Sequence, residues 1–138
     1  MPVLNRIGVL WINNEISAPQ EHFLSELIKT KIYKEIEQIG FKKLPKENWL
    51  LFLPKNELHD IGILFAYLIL KMNGYNVVYL GQNLPHSLLL SLKDKKRIDN
   101  ILFSIVANSA KLNVTEITNF LETHFPDSKI HAIINKNL

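Results

Sequence analysis

Apolar positions fall into two rhythms along this chain. Phe23, Leu27, Ile28, Ile32, Ile36 and Ile39 recur every three to five residues, with Lys29, Lys31, Lys34, Glu35 and Glu37 largely between them. That spacing predicts a helix with one buried face. Its start is written in Ser17-Ala18-Pro19-Gln20. Ser17 can cap the free amide three residues on and Gln20 can reach back, while Pro19 suits a first turn because it has no N–H to orphan. Gly40 supplies the stop. Upstream, Pro2 to about Asn13 is dense in Leu, Ile, Val and Trp and predicts an earlier helix, so residues 1–45 read as a helical hairpin, part of a helical bundle. Two such helices are marginal alone. The hairpin is expected to pack on the rest of the chain, on a second copy or on helices preceding it in a longer parent, and the pattern leaves all three open.

From residue 46 the rhythm changes. Short apolar runs at Trp49–Leu53, Asn76–Leu80, Ile101–Val106 and Ile130–Ile134 alternate with helix-length segments. These segments are about His59–Asn73, stopped by Gly74, then Pro85–Lys93 and Thr115–His124. Continuous apolar strands joined by helices predict a parallel sheet covered on both faces. Residues 46–138 therefore read as an α/β, doubly wound sheet of the flavodoxin-like kind, with four strands and the usual fifth edge strand absent or beyond Leu138.

Composition narrows the chemistry more than the fold. The 138 residues are 47% apolar and 21% charged, enough for one core and a small appendage. Cysteine is absent, which excludes disulfide frameworks and thiolate-held metals. The longest apolar run, Ile61–Leu70, is too short to cross a bilayer, so a cytoplasmic chain with no membrane partner is expected. The charge of +3 is spread out except for Lys93, Lys95, Lys96 and Arg97. With no reading element beside them, nucleic-acid binding by this chain itself is not expected. Neither a Gly-rich phosphate loop nor a Ser nucleophile elbow supports phosphoryl transfer or hydrolysis.

Ligands of open α/β sheets bind beyond the carboxyl ends of the strands, where strand order reverses. The loop 54–59 after the first strand lies there and carries Glu57 and His59, with Asp60 and Gly62 following. A neighbouring acceptor can hold one ring nitrogen of His59 while the other faces a metal or substrate. Gly62 removes bulk where a ligand approaches. Ser104 to Asn108 brings small polar groups to the adjacent strand end. Acidic residues also favour first turns of helices, and an exposed loop histidine commonly has no special task, so spacing alone leaves both readings open.

The residues from Glu57 to Gly62 (ELHDIG) resemble the cobalamin-binding signature, acidic-x-His-x-x-Gly. Ser104-Ile105-Val106, 45 positions after His59, resembles the Ser-x-Leu of the same domains, and Asn76–Pro85 resembles their second strand and turn. Trp11, separated by nine residues from Glu21-His22, resembles the Trp-x9-Glu-His motif in the helical cap of light-sensing, adenosylcobalamin-dependent MerR-type transcriptional regulators. Together these cover nearly the whole chain. The departures are the missing winged helix-turn-helix and first half of the bundle, and Asn135-Lys136 where the family carries Gly-Gly.

The resemblance implies that His59 is the lower axial ligand of cobalt and that Glu57 orients its ring. It further implies that Asp60, Ile61, Gly62, Ser104 and Val106 line the cofactor, and that Trp11, Glu21 and His22 cover its adenosyl side. The expected function is a non-enzymatic cobalamin-binding sensor domain that couples adenosylcobalamin, and light, to homo-oligomerisation. DNA would be bound only through a helix-turn-helix domain outside the chain. The alternative is a cofactor-free interaction module that keeps the fold.

Overall fold

A computed structural model of the chain describes residue 13 and residues 16–40, 46–106 and 114–135. Helix α1 spans Ala18–Ile39. It opens on the expected capping box, in which the Gln20 N–H donates to Ser17 Oγ at 3.4 Å and the Ser17 N–H to Gln20 Oε1 at 2.7 Å. It closes at Gly40, whose φ of 65° is one that a side chain disfavours. The predicted helix before it lies outside the described residues.

Strands β1 (Asn48–Phe52), β2 (Asn76–Tyr79), β3 (Asn100–Ile105) and β4 (Lys129–Ile134) form the expected parallel sheet in the order β2-β1-β3-β4. Alternation along the strands sorts side chains to two faces. On one face Leu50, Phe52, Ile101, Phe103 and Ile105 pack under helix α3 (Val114–His124) through Ile117 and Leu121. On the other, Leu51, Leu53, Val77 and Leu102 pack under helix α2 (Ile61–Met72) through Ile63. Helix α1 lies outside α2, joined by Ile32, Ile36 and Leu64. Lys29 of α1 meets Asp60 before α2, and Lys71 Nζ donates to the Gly40 carbonyl at 2.8 Å, so the two helices run in the same direction. Their N-termini stand at the carboxyl ends of the strands.

Two segments differ from expectation. The segment from Pro85 to Lys93 is a 3-10 helix, His86–Leu92. Its inward residues, Leu89 and Leu92, are three apart, the period of that tighter coil. Helix α2 starts at Ile61 rather than near His59, because Glu57 Oε1 accepts the backbone N–H groups of Leu58 and His59 and holds them in the loop. No helix among the described residues is long and apolar enough to cross a membrane.

Candidate functional site

Strand β1 connects outward to β2 on one side, and the chain then returns to place β3 on its other side. The switch point therefore lies between the carboxyl ends of β1 and β3. The loop after β1 fills it. Its turn closes with the Glu57 N–H on the Pro54 carbonyl at 3.0 Å, and Asn56 takes a φ of 70°. The loop after β2 braces it from the side: Asn83 Oδ1 accepts the Asn56 N–H at 2.8 Å, and Gln82 Nε2 donates to the Leu58 carbonyl at 2.6 Å. A rigid cradle results.

Glu57 is fully buried and joins both sides of the switch point. Its Oε2 accepts the Val106 N–H at the end of β3 at 2.7 Å. Its Oε1 accepts the Leu58 and His59 N–H groups at 2.9 and 2.8 Å and lies 2.7 Å from His59 Nδ1. An oxygen already receiving N–H donors acts on the ring as an acceptor, so Nδ1 is the donor, and in the neutral ring Nε2 holds the lone pair. The imidazole is 65% exposed while its anchor is wholly buried. This geometry presents one oriented nitrogen donor to whatever lies beyond the sheet. Among the described residues no group of three or more His, Cys, Asp or Glu could hold a metal ion. A metal bound here has to bring most of its own ligands.

The remaining expected residues that the structure describes lie at the end of β3, at the start of α2 and at the start of α1. Ser104 is completely buried in β3 and its Oγ has no hydrogen-bond partner. It shares a sheet face with Ile133, and a groove of about 320 Å³ lies on this face, lined by Trp49, Ala66, Ile69, Leu70, Leu102, His131 and Ile133. Ile61 and Gly62 form the first turn of α2, and a Cβ on Gly62 would meet nothing within 4 Å. Helical glycine is costly where nothing requires it, so a ligand face is a physical reason for it. Asp60 is buried and turns to Lys29 of α1 rather than to the loop's open side.

Glu21 and His22 sit in the first turn of α1, where Glu21 Oε1 accepts from Ser25 Oγ at 2.9 Å. Eight residues separate Glu21 from Lys29, about 12 Å of helix at 1.5 Å per residue. The end of α1 thus overhangs the His59 loop. Trp11 and Lys136 lie outside the described residues. Asn135 continues β4, donating its N–H to the Ile105 carbonyl at 3.1 Å and its side-chain amide to the Val106 carbonyl at 3.4 Å. Its side chain is thereby tied to the residue that follows β3.

Sequence reasoning gave no role to Lys29, Gln82 or Asn83. Lys29 follows Ile28 on the helix, and its place beside the Ile28, Ile32, Ile36 stripe was a usable signal of contact with α2. The brace by Gln82 and Asn83 joins two loops and has no periodic signature.

Residues 1–34 match a family model described as a B12 binding domain. Over 84 residues the chain is 27% identical to the HTH-type transcriptional repressor CarH of Myxococcus xanthus, an alignment covering 61% of this chain and 27% of the repressor. The chain spans about a quarter of that curated repressor. Its fold resembles a cobalamin-binding protein from Desulfitobacterium hafniense, with a TM-score of 0.56 at 20% identity over 94% of this chain and 62% of the other. The monomethylamine corrinoid protein of Methanosarcina barkeri gives 0.61 at 16% identity, over 92% of this chain and 61% of that one. The expected resemblance and the flavodoxin-like sheet are both borne out.

Proposed function

We propose that this chain is a cobalamin-binding sensor domain of a MerR-like transcriptional regulator, with residues 1–45 as helical cap and 46–138 as the α/β module. The observation that carries the reading is the Glu57–His59 pair, in which a buried carboxylate fixes an exposed imidazole with Nε2 free at the switch point. A corrin supplies cobalt with its equatorial ligands, and one oriented nitrogen then suffices. Glu57 holds the proton on Nδ1, and Gly62 leaves room beside α2. Ser104 offers its unpartnered hydroxyl to the nucleotide tail, with Val106 beside it. Glu21 and His22 at the start of α1, together with Trp11, would cover the adenosyl group. The role is binding rather than catalysis. Cofactor state, and light through it, changes how copies of the chain assemble, and DNA is met through another domain of a cytoplasmic regulator.

Absorbance titration with adenosylcobalamin in the dark, followed by green illumination and gel filtration, tests this. The wild-type chain is expected to give a spectrum with nitrogen bound to cobalt that mild acid converts to the unligated form, since ligation needs neutral imidazole. His59→Ala removes that acid transition. Identical spectra for the two proteins overturn the ligand assignment. Asn135, standing where the family has glycine, favours a second reading, a cofactor-free interaction module. No spectral change with any cobalamin supports that one.

A further inference from the structure

Asp60 occupies the N-cap of α2 and does not cap it. Aspartate is among the best capping residues because its oxygen can accept a first-turn N–H. Here the backbone is helical (φ −93°, ψ −11°) and the side chain makes no bond to its own helix. Instead Oδ2 lies 3.5 Å from Nζ of Lys29, thirty-one positions earlier on α1. The side chains of Lys29 and Asp60 are 16% and 10% exposed. The phenols of Tyr33 and Tyr79 also sit near that carboxylate, and burial first, then its charge, pushes both above their ordinary pKa.

Lys29 has a second partner, Glu26 Oε1 of its own helix, at 2.7 Å. Burial depresses its pKa, but the Glu26 hydrogen bond and the two carboxylate charges outweigh this and hold it protonated. Each member of the pair therefore has a fallback. Lys29 can stay with Glu26, and Asp60, by swinging its backbone from the helical to the extended region, can bring its side chain onto the amides of Gly62 and Ile63. Breaking a buried ion pair is usually costly because a bare charge is left behind. Here neither charge is left bare.

We propose that the Lys29–Asp60 contact is a releasable latch that sets the spacing between α1 and the His59 loop, Lys29 and Asp60 acting as positioning residues. The loop then has two tethers on either side of one imidazole. Glu57 ties it to the end of β3, and Asp60 ties it to the helix whose end overhangs it. Displacement of α1 transfers Asp60 from Lys29 to its own helix, so the position of the cap and the first turn of α2 exchange stability. The link to cofactor sensing rests on the function proposed above, whereas the latch itself belongs to the cofactor-free chain.

Hydrogen exchange on the cofactor-free full chain tests the latch directly. In Lys29→Met the amides of Gly62 and Ile63 are expected to slow about 5-fold as Asp60 caps them, while those of Ile28 and Ile32 speed up. Lys29→Arg should keep the wild-type pattern. Simple loss of packing would accelerate both groups together, and that result, or no change in either, overturns the latch. With cofactor, Lys29→Met is expected to weaken adenosylcobalamin about tenfold and to spare hydroxocobalamin, whose upper ligand is too small to reach the cap. Equal weakening of both overturns the spacing role. A wild-type chain that takes up neither cobalamin overturns the functional reading, and the exchange measurement then decides the latch alone.

Discussion

Ser104 shows how a single side chain can be wrong for the fold and right for a ligand. A hydroxyl with no exposure and no partner costs about 1–3 kcal/mol of unrecovered hydration. Alanine is smaller only by that oxygen and fits the same place in β3. Ser104→Ala is therefore expected to raise the unfolding midpoint in urea, by about 1 kcal/mol of stability, in the chain without cofactor. On the proposed reading the same change weakens cobalamin binding. Opposite signs in stability and affinity mark a residue kept for its ligand, and a loss of stability in Ser104→Ala would show that the hydroxyl serves the fold. His59 and Glu57 follow the same logic more visibly, since motif spacing exposes them in sequence. No spacing reveals that Ser104 lacks a partner.

The elements were legible where one rhythm governed them. Helix α1 was readable from its capping box and apolar stripe, and the strands from continuous apolar runs, because those signals are local. The helix at His86–Leu92 was legible but its type was not, because a leucine-rich segment satisfies either helix type until packing selects the three-residue period. Polar ties between strand ends were not legible at all. Asp99, just before β3, accepts the Asn48 N–H of β1 at 2.8 Å and the Arg97 Nε–H at 2.6 Å. The Asn48 N–H pulls its carboxyl below the usual carboxylate range, burial opposes this, and the Arg97 guanidinium adds to the lowering. A depressed native pKa contributes stability that is fully present above the unfolded-state value and is lost as pH falls through the native one. Wild-type stability should thus decline below about pH 4. Asp99→Asn should start lower at neutral pH and decline less steeply on acidification, which thermal melts across pH 2–7 would register. Parallel curves for the two proteins would remove Asp99 from the acid response.

At the scale of the whole molecule, the His59 loop and the overhanging end of α1 lie at the carboxyl end of the sheet, and a groove lies along the sheet face to which Ser104 belongs. The flavodoxin-like topology makes the first predictable, because strand reversal places a loop at the switch point. The groove depends instead on what leaves a sheet face bare, since α2 covers β1 and β2 but the face over β3 and β4 carries half-exposed Ile133. Asn135 continues β4 beyond Ile133, with its side-chain amide on the Val106 carbonyl. If the nucleotide tail runs past the end of β4, the Asn135 side chain opposes the tail and leaves the ring untouched. Asn135→Gly is then expected to tighten cobalamin binding about tenfold, a gain of ~1.4 kcal/mol. It should not change the affinity for cobinamide, which keeps the corrin and lacks the tail. Comparing both ligands by absorbance titration separates the two contributions. Equal gains for both would mean that glycine loosens the loop generally, and no gain for either would place the tail elsewhere.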